Sequence, residues 1–313
     1  MDKVLIGIDL GGTNIQGAAA SGEEILRRGK IATRAALGPE TVLADIAALA
    51  LELAQGKEIA AIGLGAPGLL DLERGICLFS GNLRWQGVAL TQPLSDELGA
   101  PVFLDNDVRV AALGELSQGK AKGCKDFIYL TVGTGIGSGI FIDGRLLRGP
   151  RWSAGEVGHM ILDPQGPHCT CGRQGCLEAL ASATAIAREG RAAAAANPAS
   201  LLNTLAGSPE EIDAAKVFEA ASAGDPAASQ VVDTAMNWLG IGVANLINIF
   251  NPRLVVIGGG VSLAGEQLLA PVRAQVQRYC MEVQKETVTV TTSALDDSAG
   301  VAGALELARR RLG

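Results

Sequence analysis

Twice along this chain a β-type run stops at a cluster of glycines and a second β-type run follows at once: DLGGTN at residues 9–14 and TVGTGIGSG at residues 131–139. A glycine cluster between apolar runs signals a tight turn, and each of these opens a hairpin. In the P-loop and the dinucleotide-binding fingerprint the glycines lead into a helix instead, and no Gly-Lys-Ser/Thr follows either cluster. Helical and strand patterns alternate after each hairpin, so the chain reads as two α/β halves carrying the same device. Its 313 residues are long for one core but ordinary for two domains of roughly 100–200 residues. Two lobes with a ligand cleft between them are expected.

The first half shows strand patterns at Val4–Asp9, Gly17–Ala20 and Ile25–Ala32, an Ala/Leu helix over Pro39–Gln55, the strand AAIGLGAPG, an irregular stretch, a helix near Leu90–Leu98, the strand PVFLDND and the helix VRVAALGEL. The polar GKAKGCKD marks the boundary, giving a first lobe over 1–118 and a second over 119–298. The second lobe holds the hairpin FIYLTVGTGIGSGIFIDG, Ala-rich helices from Ala179, the apolar helix WLGIGVANLINIF and the strands RLVVIGGGV and ETVTVTTS. A closing helix, 299–313, is expected to pack back on the first lobe. With 48% hydrophobic and 19% charged residues the composition suits a folded α/β protein rather than a disordered one.

A net charge of −7 repels phosphate backbones and anionic membranes. Nucleic acid and membrane are therefore not expected as partners. The start MDKVLIGIDL enters a strand pattern without a basic n-region, and no run of eighteen apolar residues occurs. A cytoplasmic location is expected, where structural disulfides are disfavoured.

In DLGGTN, Gly11 and Gly12 let backbone N–H groups approach an anion and Thr13 adds a hydroxyl donor, while Asp9 at the strand end suits a Mg²⁺ ion. A plain hairpin turn with Asp9 capping amides is the alternative for this cluster alone. Thr131, Gly133, Thr134, Gly135 and Gly137 repeat the chemistry, and Gly258, Gly259 and Gly260 end a buried strand in a third cluster. Together they offer what a nucleotide needs: donors for two phosphate segments and a surface free of side chains for the adenosine.

PVFLDND ends a buried strand in Asp105, Asn106 and Asp107 directly before a helix. Asp107 is the natural N-cap, and the same carboxylate can act as a general base on an alcohol; the two roles are compatible. Asn106 supplies both a donor and an acceptor for a polyol hydroxyl. Asn82, Glu156, His159 and Glu178 are each ordinary polar residues read singly, but several in Gly-rich turns suit a hydroxyl-rich ligand.

HCTCGRQGC, residues 168–176, packs three of the six cysteines and one of the two histidines together. Cys169, Cys171 and Cys176 have a C-x-C-x4-C spacing suited to Zn²⁺, whereas a redox pair would more typically be C-x-x-C. His168 is adjacent to Cys169 and points to the opposite face in extended backbone, so His159 is the expected fourth ligand. A site filled by three Cys and one His has no open position for water, and its role would be structural, holding the loop 159–178 rigid. Cys77, Cys124 and Cys280 read as small buried side chains.

DLGGTNIQGA, GLGAPG, LDNDVRVAALGE, TVGTGIGSGIFIDG, GEVGHM and HCTCGRQGCLEA, in this order, closely resemble the bacterial ROK family (repressor, open reading frame, kinase) of sugar kinases, from about residue 4 to 305. The resemblance implies the actin-like ATPase (ribonuclease H-like) fold, two lobes closing over ATP and sugar, and a homodimer. It implies Asp107 as the base that deprotonates the sugar hydroxyl, and Asn82, Asn106, Asp107, Glu156, His159 and Glu178 as sugar contacts. His159, Cys169, Cys171 and Cys176 match the family's zinc ligands, with His159 serving both roles through its two ring nitrogens. Asp9, Gly11, Gly12 and Thr13 match the first phosphate loop, Thr134 and Gly135 the second, and Gly259 and Gly260 the adenosine side.

Repressors of the family carry a helix-turn-helix before DLGGT, which here starts at residue 9, so DNA regulation is not expected. Polyphosphate-using relatives tend to lack the cysteine cluster, which favours ATP. NLRW and LDNDVRVAALGE look most like the family's glucokinases, so phosphorylation of D-glucose to glucose 6-phosphate is expected. N-acetylhexosamine kinases come next, with fructose or mannose kinases also open. A catalytically idle sugar sensor is the rival from another class, and a carboxylate or acetate kinase on the same fold is a further one.

Overall fold

The computed structural model describes residues 3–312, apart from the side chain of Asp296. The chain divides into two compact units. The first comprises Met1–Cys124, Arg145–Gly155 and Ala294–Gly313, the second Lys125–Gly144 and Glu156–Ser293.

In the first unit β1 (Val4–Leu10), β2 (Asn14–Ser21) and β3 (Glu24–Ala32) form an antiparallel meander. Helix α1 (Pro39–Ala54) follows, opened by proline at its first position and stopped by Gln55 in the left-handed region. Strand β4 (Ile59–Ala66) then pairs parallel to β1. The stretch left irregular in the sequence reading folds into a small antiparallel sheet of β5 (Leu69–Asp71), β6 (Ile76–Ser80) and β7 (Trp85–Ala89). Helix α2 (Thr91–Leu98), strand β8 (Val102–Asn106) parallel to β4, and helix α3 (Asp107–Gln118) complete this part, and the main sheet runs β3-β2-β1-β4-β8.

The second unit repeats the core of that topology. Strands β9 (Phe127–Val132) and β10 (Ile136–Ile142) form an antiparallel hairpin. Helices α4 (Leu177–Ala181), α5 (Ala183–Ala196), α6 (Leu202–Leu205), α7 (Ala214–Ser222) and α8 (Pro226–Phe250) follow. Strand β11 (Leu254–Gly258) lies parallel to β9. Then come α9 (Glu266–Tyr279), α10 (Glu282–Thr287) and β12 (Thr289–Thr292), which is parallel to β11. The ETVTVTTS strand is thus shorter than expected, because Glu286 and Thr287 close α10. Helix α8 begins at an Asp225 cap, whose side chain accepts from the Ala228 N–H, and ends at Asn251 in the left-handed conformation that asparagine tolerates. No helix among the described residues is long and apolar enough to cross a membrane.

The chain closes with α11 (Ala299–Leu312), which returns to the first unit and packs on α3, β1 and β4. β1 is therefore buried on both faces. Ile6, Ile8 and Leu10 meet Val42, Ile46 and Leu53 of α1, whereas Leu5 joins Val301, Leu305 and Ala308 of α11. That is why β1 reads as a continuous apolar run rather than an alternating one. The seam between α3 and α11 is close enough that a Cβ on Gly303 would collide with the Val110 carbonyl oxygen.

The division differs from lobes of 1–118 and 119–298 in three places, the last being that the return to the first unit begins at Ala294 rather than at 299. Residues 119–124 stay with the first unit because Glu115 holds the turn after α3, its Oε2 accepting from the Lys120 N–H at 2.8 Å. Residues 145–155 belong there because Arg148 pairs with Asp105 of β8, a partner 43 positions away that no local pattern discloses.

Candidate active site

In the first unit the parallel pairing brings the C-terminal ends of β1, β4 and β8 level: Asp9 stands opposite Gly65, and Gly65 opposite Asp105. Ligands of open α/β sheets bind at such strand ends. The turn after β1 is closed by the Gly11 N–H donating to the Asn14 carbonyl at 2.9 Å, and braced by the Thr33 hydroxyl on the Gly11 carbonyl at 2.8 Å. Gly12 and Thr13 are exposed at its tip, with exposed Asn82 beside Gly12.

Asp9 is pushed up to about 7, first by burial, then by the negative charges of Asp107 and Asp297. Its carboxylate lies against Gly300 at the start of α11, where any Cβ would strike it. A buried carboxylate facing two others is an anionic pocket that a divalent cation neutralises.

One expectation is corrected at α3. Asn106, not Asp107, is the N-cap: its Oδ1 accepts from the N–H groups of Val108 at 3.1 Å and Arg109 at 3.4 Å. Asp107 takes the first helical position, with Oδ1 accepting from the Val108 N–H at 2.9 Å. The helix starts one residue earlier than that expectation, because Asn106, still paired in register with Ala66, both ends the strand and caps α3. The Asn106 carbonyl oxygen is thereby occupied, and its amide nitrogen is the group left to meet a ligand, at a long 3.5 Å from the Gly68 carbonyl.

Asp105, absent from the expected site, is fully buried and holds two arginines, Arg148 and Arg109. Only an acid at the end of an apolar strand hints at it in the sequence, since apolar burial demands a counter-charge.

In the second unit four side chains separated in sequence converge. One ligand atom each from His159, Cys169, Cys171 and Cys176 lies within 4.8 Å of the others. His159 Nδ1 is 3.7 Å from the Cys169 sulfur, and the Cys171 and Cys176 sulfurs are 3.6 Å apart. Ligands about 2.3 Å from a tetrahedral Zn²⁺ are separated by about 3.8 Å, so donor set and spacing both fit that ion. With Nδ1 turned to the sulfurs, Nε2 of His159 is directed elsewhere. His168 lies outside the cluster, its Nε2 3.3 Å from the Gln174 amide nitrogen.

The thiols are not equivalent. Cys171 is lowered to about 6, chiefly by the Arg173 backbone N–H, whereas burial raises Cys169 and pushes Cys176 up to about 12. A cation among them would be what holds all three as thiolates.

Glu178, in the first turn of α4, connects this cluster to the second glycine loop. Its Oε1 lies 3.8 Å from the Cys169 sulfur, and its Oε2 accepts from the Ile136 N–H at 3.0 Å. A Cβ on Gly135 would meet that carboxylate, so a side chain there would displace Glu178 from its place. The same loop is stapled to the start of α5 by Ala183 N–H on the Gly133 carbonyl and the Thr184 hydroxyl on the Thr134 carbonyl, both at 2.8 Å. Thr134 is left exposed at the tip. Exposed Glu156 caps the short 3-10 turn Val157–His159, its carbonyl accepting from the His159 N–H at 3.1 Å. The third glycine cluster ends β11 beside this loop's strand: Gly258 is level with Thr131, and Gly259, at φ 81°, sits against Val132 and Thr131, followed by Gly260.

The ROK family profile matches residues 5–311. A glucokinase of Thermotoga maritima is 42% identical, covering 99% of this chain and 98% of its own, and one of Halalkalibacterium halodurans is 36% identical over 96% and 94%. The ROK family glucokinase of Streptomyces griseus, solved with glucose and AMPPNP, superposes with a TM-score of 0.86 at 36% identity, covering 98% of this chain and 99% of that one. The chain belongs to the ROK family and has its actin-like ATPase fold. These glucokinases are among the members it is similar to, matched over nearly their whole length.

Proposed function

We infer that the protein is an ATP-dependent glucose kinase, transferring the γ-phosphoryl group of ATP to the 6-hydroxyl of D-glucose to give glucose 6-phosphate and ADP. The observation that carries the reading is the full-length likeness to glucokinases together with two acids, Asp9 near the end of β1 and Asp107 at the start of α3, close enough to feel each other's charge.

Phosphoryl transfer asks a protein mainly for positioning and charge neutralisation. Asp107, held at the first position of α3 where the helix dipole favours an anion, is the group that takes the proton from the attacking hydroxyl. Asn106 orients the sugar through its amide nitrogen, with Asn82, Glu156, His159 Nε2 and Glu178 as further hydroxyl contacts. Asp9 would hold Mg²⁺, whose chemistry when bound is to neutralise phosphate charge. The turns Gly11–Thr13 and Thr134–Gly135 offer donors to the phosphates, and Gly259–Gly260 a side-chain-free surface to the adenosine. The tetrad of His159, Cys169, Cys171 and Cys176 would hold a structural Zn²⁺. A cytoplasmic homodimer completes the reading, supported by the family resemblance.

The test is ADP release with Mg-ATP against glucose, mannose, fructose, N-acetylglucosamine and N-acetylmannosamine. Glucose is expected to give the highest kcat/KM; turnover confined to an N-acetyl sugar moves the substrate, and silence on all five sinks the kinase reading. Asp107→Asn is expected to keep glucose affinity within about threefold while kcat falls by about 10³. A variant within tenfold of wild type removes Asp107 from the role of base.

A further inference from the structure

The Asp105 carboxylate sits between two guanidinium groups and immediately before the residues that cap α3 and carry the proposed base. Its Oδ2 accepts from Arg148 Nε at 2.9 Å and from Arg148 Nη2 at 2.7 Å, a fork-shaped pairing that fixes orientation as well as charge. Its Oδ1 accepts from the Asn106 N–H at 2.9 Å and faces Arg109 Nη1 at 3.6 Å. Arg109 also donates to the Ala154 carbonyl at 2.9 Å, and the Ala154 N–H donates to the Arg148 carbonyl at 3.0 Å. The loop 148–154 is therefore closed on itself and tied at both ends to the junction of β8 and α3.

Asp105 is 0% and Arg109 3% exposed, so two ions have been taken out of water, and Arg109 Nε is buried with no partner among the described residues. Two cations against one anion, with one donor unsatisfied, is a poor device for stability, because well-packed apolar side chains in the same volume do as well or better. What the arrangement does supply is a fixed backbone: the carboxylate grips the N–H of Asn106, whose side chain caps α3 and so sets where Asp107 points.

We propose that Arg148 and Arg109 are positioning residues for the phosphoryl transfer, acting through Asp105 to lock the strand-to-helix junction that presents Asn106 and Asp107. The proposal rests on the reading of Asp107 as the base. Arg148 is the member to remove, because its side chain is 23% exposed and its loss leaves the core packed. In Arg148→Ala the kcat with glucose is expected to fall at least tenfold while KM for glucose and for ATP stays within about threefold. Arg148→Lys should recover part of that loss and not all, since an ammonium cannot reproduce the two-pronged bond. Hydrogen exchange at the Val108 and Arg109 amides, both bonded to the Asn106 cap, is expected to quicken at least tenfold in Arg148→Ala, and this measurement needs no turnover.

A kcat within twofold of wild type in Arg148→Ala, with or without a lower melting temperature, makes the network a brace and overturns the proposal. Should that variant not fold, Arg148→Lys with wild-type kcat overturns it equally. An inert wild type would defeat the kinase reading instead, and unchanged amide exchange in Arg148→Ala would then still defeat the clamp.

Discussion

At the scale of single residues, Asp9 is held in a state that opposes folding. Its carboxyl is raised to about 7 from an ordinary value of 3.8, so between about pH 4 and pH 7 the folded protein keeps a proton that the unfolded chain has released. Stability in the absence of divalent cations is therefore highest below pH 4 as far as this group is concerned and declines as pH rises toward 7. Asp9→Asn is expected to raise the melting temperature at pH 8 without Mg²⁺, by several degrees, and to abolish turnover. Equal melting temperatures for the two proteins at pH 8 would show that the charge carries no such cost. That carboxylates and glycines gather at the strand ends was legible in the sequence, because an acid or a glycine cluster closing an apolar run stands out. Their division of labour was less so: a D-N-D triplet offers three possible caps, and which one serves depends on how far β8 pairs with β4. Asp105 escaped notice because its partner Arg148 lies 43 residues away.

Among elements, the segment from His159 to Glu178 has little regular structure of its own beyond two isolated bridges and short turns. Its order must come from side chains, and four of them form the proposed zinc tetrad. Cys171→Ser is expected to lose stoichiometric zinc and to lower the melting temperature by on the order of 10 °C. Elemental analysis finding no zinc in the untreated protein would end that assignment. Because Glu178 bonds the Ile136 N–H, the same variant should loosen the 133–136 loop, visible as faster exchange at that amide. Strands such as β1, β9 and β11 were easy to read, being short apolar runs bounded by turn residues. The sheet β5–β7 was not: its strands are only three to five residues long, and Leu69, Leu78 and Phe79 stay exposed, so the pattern lacks a clean apolar face.

For the whole molecule, the two glycine hairpins do announce a repeated architecture, and the structure realises it as an antiparallel pair followed by parallel strands in each unit. A cut at 118/119 with the closing helix 299–313 returning gives the first unit two stretches, whereas three separate stretches build it. Compositional shifts mark a linker, but they carry no sign of the short segment Arg145–Gly155 that returns to the first unit. Helix α11 is the larger return, with Val301, Leu305 and Ala308 filling one face of the sheet. Gly303→Ala should cost about 3 kcal/mol or more, because the added methyl meets the backbone of α3 rather than a movable side chain. A chemical-denaturation midpoint unchanged by this substitution would show that α3 and α11 can separate without loss.

That return has a consequence for how the protein is made. Emerging from the ribosome, β1, β4 and α3 must wait for α11 with one sheet face uncovered, while all of the second unit is translated in between. At about 5–20 residues per second the wait is roughly ten to forty seconds. During that interval the second unit, whose strands and helices are complete before α11 appears, can finish folding first. The nascent first unit is then the part of the chain that calls for a chaperone.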